Sequence, residues 1–260
     1  MKNNKYDKLK EYLNESGKQG ICLAFSGGVD SALLLILCKN LNLTAVTFQS
    51  VFQAEEDIEF AKNFCKKYGV KHQIINYNPL EDSIIASNPK DRCYHCKKQI
   101  FSKLKEFAVK NSLGNIFDGT NYDDLNVYRP GLKALDELHI ISPFALHKIT
   151  KEEIRTYLKQ YEPEIYNKPS NPCYATRFPY NTLLNEKSLN IVKQAEKYLK
   201  TSGFSENRVR LHQNIARIEI PCKDFKKFIK LKDKIIIQLK QMGFTYITLD
   251  IEGLRQGSMD

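Results

Sequence analysis

Short apolar runs alternate with segments of helical period from residue 21 to about residue 145. Residues 21–25 read as a buried strand, 44–48 as a second, 72–77 as a third and 115–118 as a fourth, with 140–142 a candidate fifth. Between them, residues 32–40, 55–68 and 96–110 repeat apolar positions at helical spacing, the pattern of helices buried along one face. Gly69 and Gly114 stand where two of these helices should stop. Strand–helix–strand alternation predicts an α/β fold, a doubly wound parallel sheet with ligand sites beyond the strands' carboxyl ends.

Thr150 with Glu153 forms a capping-box pattern that opens a helix over 151–160. A polar stretch with Pro163, Pro169, Pro172 and Pro179 follows, of a length that marks a functional loop or a linker. A helix is expected over 186–200. From Arg208 the pattern changes: 208–212 and 216–220 read as the strands of a hairpin, 224–242 as a helix and 246–251 as a strand. The expected organisation is a main domain, residues 1–180, and a second, smaller α/β domain, residues 181–260.

Composition narrows the class. Of 260 residues, 42% are hydrophobic and 27% charged, which excludes disorder, collagen and coiled coil for the whole chain. No apolar run approaches the roughly 18–20 residues that cross a bilayer. Residues 1–10 are polar and Lys-rich, unlike a signal peptide, so a cytoplasmic location is expected. In that reducing compartment, seven cysteines read as ligands, nucleophiles or small core residues rather than as disulfides. The formal net charge of +10 suits a phosphorylated partner, nucleotide or nucleic acid, or a solvated lysine surface.

Ser26-Gly27-Gly28-Val29-Asp30-Ser31 lies between the first strand and the first helix. Two glycines let the backbone approach a phosphate, and the helix N-terminus favours an anion. Ser26 and Ser31 add hydroxyl donors, and Asp30 can hold magnesium against the phosphates. The Lys-Ser/Thr ending of a Walker A loop is absent, which disfavours a kinase or GTPase. This loop resembles the SGGxDS loop of the PP-loop, or N-type, ATP pyrophosphatases. The resemblance implies cleavage of ATP between its α- and β-phosphates, an adenylylated substrate, and a nitrogen or sulfur nucleophile that displaces AMP.

Cys93-Tyr94-His95-Cys96 opens a helix, with both sulfurs to one side and Arg92, Lys97 and Lys98 beside them to favour thiolates. Cys173 sits in the Pro-rich stretch, which suits a reactive or ligating thiol. A redox dithiol, a structural zinc site with His95 or another residue as fourth ligand, and an iron–sulfur cluster with one open iron are all compatible with the spacing. Cys22, Cys38 and Cys65 lie on apolar faces and read as core residues, and Cys222 carries no chemical signal.

Longer stretches carry a narrower resemblance. They are Arg92 to Lys97, Gly119-Thr-Asn-Tyr-Asp-Asp with Arg129-Pro-Gly, and Ser142-Pro-Phe before the Lys151-Glu-Glu-Ile-Arg helix. To these are added Lys168 to Tyr180, Arg208-Val-Arg-Leu-His with Ala216-Arg-Ile-Glu, and Gly253 to Met259. Together they resemble the LarE family of ATP-dependent sulfur transferases over nearly the whole chain. That resemblance implies adenylylation of a carboxylate of pyridinium-3,5-biscarboxylic acid mononucleotide and its conversion to a thiocarboxylate, for the nickel-pincer nucleotide cofactor. It implies ATP and Mg2+, and Cys93, Cys96 and Cys173 holding a [4Fe-4S] cluster that carries a sulfide. It places Ser26, Gly27, Gly28, Val29, Asp30 and Ser31 on the pyrophosphate and magnesium, and Phe48 with its successors to Ser50 beside the adenosine. Gly119, Thr120 and Asn121, just past the fourth strand, also border the nucleotide, with Asp123, Asp124 and Arg129 in the same loop. Arg177, Arg208 and Arg210 match arginines near the substrate phosphate, Glu196 is a further polar or metal-binding group, and His212 shares the strand face of Arg208 and Arg210. A separate sulfide donor and a homo-oligomer are implied too.

Two other functions fit the loop. A tRNA thiolation enzyme would use the same loop and charge, but only some twenty residues precede the first strand and the C-terminal unit shows no aromatic-basic RNA surface. A non-catalytic nucleotide- or metal-binding protein is the other.

Overall fold

A computed structural model of the chain describes residues 4–126, 130–166 and 171–255. In chain order the elements begin with α1 (Asn4–Lys18), β1 (Ile21–Ala24), α2 (Val29–Cys38), β2 (Leu43–Gln49), α3 (Glu55–Lys67) and β3 (Lys71–Asn76). There follow α4 (Ser83–Ala86), α5 (Arg92–Lys110), β4 (Asn115–Phe117), α6 (Pro130–Glu137), α7 (Pro143–Leu146), α8 (Lys151–Lys159) and α9 (Pro163–Tyr166). The remainder is α10 (Glu186–Thr201), β5 (Arg208–His212), β6 (Ile215–Glu219), α11 (Phe225–Gln241) and β7 (Tyr246–Leu249).

The chain divides into two compact units, Met1–Asn78 with Asp91–Asn171, and Pro79–Lys90 with Pro172–Asp260. The first holds a four-stranded parallel sheet in the order β3-β2-β1-β4. Ile21, Cys22 and Leu23 of β1 are fully buried, as a strand covered on both faces must be. One face packs on Leu9, Leu13, Leu33, Leu34, Phe64 and Ile154, the other on Phe101, Leu104, Ala108 and Leu135. Helices therefore cover both faces, as the alternating pattern predicts.

Two expectations change. The polar N-terminus is a helix: Tyr6, Leu9 and Leu13 of α1 are buried at helical spacing beneath a lysine-rich outer face. The candidate fifth strand shrinks to a single bridge between Phe117 and Ile141, because Pro143 follows at once and starts α7.

The second unit is a three-stranded sheet in the order β5-β6-β7. β5 and β6 form the expected antiparallel hairpin, and β7 returns parallel to β6 after α11. This compact unit starts at Pro172 and takes in Pro79–Lys90, where the sequence reading had divided the chain at residue 181. The fully buried Asn88, at φ 58°, explains the early segment's place: its side-chain amide donates to Pro179 O at 2.8 Å, and its carbonyl accepts from Asn181 N at 2.9 Å.

Candidate functional site

The loop after β1 is built for close approach. Gly27 has φ +69°, the left-handed region where a side chain would be strained. Ser26 Oγ lies 3.1 Å from Ser31 Oγ and accepts from Gly28 N at 3.3 Å. Ser31 Oγ also donates to Gly28 O at 3.1 Å. Val29 is buried in the core, so only its backbone can serve the loop. The first-turn N–H groups of α2 have no intrahelical acceptor and form an anion site.

The end of β4 closes one side of this loop. A Cβ on Gly119 would lie 2.9 Å from Ser31 N and 3.3 Å from Asp30 Cβ, so only glycine fits. Thr120 and Ser142 both donate their hydroxyls to the buried Asp118. Asn121 Oδ1 accepts from the N–H groups of Asp123 and Asp124, and its own N–H donates to Asp124 Oδ2. Asn121 also hydrogen-bonds Asp30. Arg129 lies outside the described residues.

Lys151 completes the cluster; the sequence marks it as the start of the Lys151 to Arg155 stretch and gives it no role of its own. Its Nζ lies 2.7 Å from both carboxylate oxygens of Asp30, while its N–H donates to Asp123 Oδ2 at 2.7 Å. Burial pushes the Asp30 carboxyl up, Lys151 pulls it back, and Asp124 adds a like charge. In the sequence Lys151 is the first helical residue after Thr150, inside the α8 capping box. That box forms, and it fixes where the lysine stands. Phe48 packs edge-on against Tyr77 in the core, so Gln49 and Ser50 are what emerge at the end of β2.

The seven cysteines fall into two kinds. Cys22, Cys38 and Cys65 are buried, and burial pushes each thiol up to about 12, which makes them inert. Cys93 and Cys222 are exposed, and Cys96 and Cys173 half-exposed. Cys93 and Cys96 lie in the first two turns of α5, in the first unit, three residues apart on one side of the helix. Arg92 Nη2 is 3.8 Å from Cys93 Sγ, and His95 Nε2 is 3.2 Å from Asp91 Oδ2. Cys173 immediately precedes a single 3-10 turn, Tyr174–Arg177, in the second unit. Accessible thiols at a positive helix end fit a soft metal or cluster as a donor set. Among the described residues no three His, Cys, Asp or Glu side chains are gathered to hold one ion.

In the second unit, arginines and glutamates interlock. Arg177 is fully buried, with Nε 2.8 Å and Nη2 3.1 Å from the two oxygens of Glu196. Glu196 also accepts from Val209 N at 2.9 Å. Arg210 binds Glu219 the same way, at 3.1 and 2.9 Å, and donates to Thr176 O. Arg217 reaches Glu219 at 3.0 Å. Arg208, on the same face, has its guanidinium pushed down by burial and by Arg177 and Arg210, although Glu196 opposes them. His212 Nε2 is buried here without a hydrogen-bond partner. Glu219, which clamps two of these arginines, carried no signal in the sequence.

The profile of the NAD synthase family matches residues 1–110. The chain is 35% identical to the pyridinium-3,5-bisthiocarboxylic acid mononucleotide synthase of Lactiplantibacillus plantarum, over 93% of this chain and 89% of that protein. It is 32% identical to an uncharacterized protein of Synechocystis over 100% of this chain and 98% of the other. An NH(3)-dependent NAD(+) synthetase of Pyrococcus horikoshii is 30% identical over 44% of this chain and 47% of its own length. Among solved structures, NMN synthetase from Francisella tularensis shares the fold with TM-score 0.52 and 18% identity, over 65% of this chain and 74% of that one.

Proposed function

This chain belongs to the LarE family of PP-loop enzymes, and from that premise we propose that it is the ATP-dependent sulfur transferase acting on pyridinium-3,5-biscarboxylic acid mononucleotide. One observation in the fold supports this most directly. The Ser26–Ser31 loop, Gly119, Asn121 and Lys151 converge on Asp30 at the carboxyl ends of β1 and β4, the place where an open parallel sheet binds nucleotide.

A substrate carboxylate oxygen bonds to the α-phosphorus of ATP and pyrophosphate leaves. A sulfur nucleophile then bonds to the activated carbonyl carbon and AMP leaves. The loop N–H groups and the hydroxyls of Ser26 and Ser31 hold the departing pyrophosphate. Asp30 and Asp124 would hold magnesium, which supplies positive charge against the polyphosphate when bound. Lys151 holds the Asp30 carboxylate at both oxygens, and its charge opposes the burial that pushes that carboxyl up. Arg208 and Arg210 would meet the substrate phosphate, and Arg177, fully buried with its donors on Glu196, Pro172 O and Thr176, would add its charge from behind them.

Cys93, Cys96 and Cys173 would hold the [4Fe-4S] cluster, which supplies a transferable sulfide when loaded. A separate sulfide source replenishes it, and the enzyme works as a homo-oligomer. The test is anaerobic: protein, Mg-ATP and the mononucleotide should release AMP and pyrophosphate and give a product with sulfur in place of one carboxylate oxygen. Iron and acid-labile sulfide should co-purify with the protein. Stoichiometric zinc without iron would defeat the cluster, and release of AMP only with tRNA would defeat the substrate.

A further inference from the structure

We propose that the groove between α1 and α8, within the first unit, binds a linear aliphatic polyamine. The groove has a volume of about 890 Å³ and is lined by Tyr6, Asp7, Glu11, Glu152, Glu153 and Tyr157, among others. It is acidic on a chain whose net charge is +10. Asp7 and Glu11 stand one helical turn apart on α1, and Glu152 faces the groove from α8. All three are exposed and none is in a direct ion pair among the described residues, although Asp7 acts on Lys10, which also lines the groove.

A second, independent feature points to a ligand. The Tyr6 hydroxyl, on a residue only 4% exposed, has no hydrogen-bond partner. A buried hydroxyl without a partner is costly, and a group entering the groove could satisfy it. Its charged neighbour is Glu153, and together with desolvation that carboxylate pushes the phenol up, keeping it a neutral hydroxyl. Such an oxygen can accept from an ammonium.

Two of the chain's own ammonium groups show what chemistry the groove takes. Lys5 Nζ sits 3.0 Å from Glu153 Oε1 and 3.0 Å from Lys148 O. Lys10 Nζ lies over the Tyr157 ring, 5.7 Å from its centroid, and hydrogen-bonds the Tyr157 hydroxyl. The Tyr157 ring is itself fixed between Tyr6 and Tyr161, with centroids 4.5 and 5.3 Å away. A rigid aromatic wall beside spaced carboxylates recognises an alkyl chain carrying several ammonium groups: methylenes on the rings, charges on Asp7, Glu11 and Glu152. A single divalent metal would find no such use for the aromatic wall, and an anion would meet four carboxylates.

The experiment is calorimetric titration of spermidine into the full-length protein at low and physiological salt. One site per chain is expected, weakened by salt. Carboxamide replacement of all three unpaired acids (Asp7→Asn, Glu11→Gln, Glu152→Gln) should raise Kd roughly tenfold. Tyr6→Phe, which keeps the ring stack, should raise it about fivefold. Putrescine should bind more weakly and magnesium should not compete. Absence of binding, equal binding by the triple variant, or displacement by magnesium would each overturn the proposal. So would a change in sedimentation of the triple variant without spermidine, which would assign the groove to a second copy of the chain instead.

Discussion

The two regions proposed to bind phosphate groups are built on opposite plans. The loop in the first unit is almost uncharged: two glycines, two serines and a helix N-terminus, with one carboxylate held by one lysine. The second unit gathers four guanidinium groups, Arg177, Arg208, Arg210 and Arg217, about two glutamates, Glu196 and Glu219. In the first, specificity lies in how closely backbone can approach, and Gly119 sets that limit. In the second, charge is abundant, and the carboxylates of Glu196, Glu219 and Asp250 hold it in place. A neutral cradle suits a polyphosphate that brings its own magnesium. A charged, pre-paired cluster suits a phosphate monoester that arrives without a metal.

That contrast predicts opposite mutational profiles. Asp30→Asn should cut kcat/KM by about 10²–10³-fold, in the range of a lost electrostatic contact in a transition state, with little change in the unfolding midpoint. Steady-state pyrophosphate release and thermal melts together read this. Glu196→Ala should do the reverse and act first on the fold. It strands a fully buried guanidinium, a change worth about 3–5 kcal/mol, seen in denaturant unfolding. If Glu196→Ala left stability untouched, the second region would not be a pre-paired cluster.

Gly119→Ala sharpens the same comparison. The added Cβ cannot be placed without shifting Ser31 N, which is backbone, so the loop itself must move. A cost of about 1–3 kcal/mol is expected, with a larger proportional loss of ATP use than of stability. The cysteines give a further check. In protein stripped of any cluster, under native conditions, iodoacetamide should modify Cys93, Cys96, Cys173 and Cys222, while Cys22, Cys38 and Cys65 react only after unfolding. Peptide mapping by mass spectrometry reads both sets.

The first region was far more legible in the sequence than the second, for a physical reason. A phosphate loop is a contiguous run, so Ser26 to Ser31 announces itself between a strand and a helix, and the sheet order follows from local alternation. Lys151 and Asp30 are 121 residues apart, and the stretch that opens with the lysine says nothing of what its ammonium meets. Glu219 looks like any charged residue of a two-faced strand until Arg210 and Arg217 are seen on it. Asn88 and its segment joined the second unit through hydrogen bonds to residues 179 and 181, contacts that no periodicity encodes. Helix α1 was missed because its lysines dominate its composition while three apolar residues carry its burial.

The smallest expected effect tests the second region from its neutral member. His212 has a buried Nε2, and burial, Arg217 and Arg210 hold its imidazole below the usual value of 6.5, with Glu219 opposing them. The unfolded chain therefore takes up a proton near pH 6.5 that the folded chain resists, so the unfolded state binds more protons there and stability falls as pH falls through that range. His212→Gln keeps a polar side chain that does not titrate. Its unfolding free energy should decline less than that of the parent between about pH 7 and pH 5.5, a difference on the order of 1 kcal/mol or below. A parallel decline in both proteins would mean that the guanidinium cluster does not reach His212. The field of those guanidinium groups would then have to end at Arg210 and Arg217.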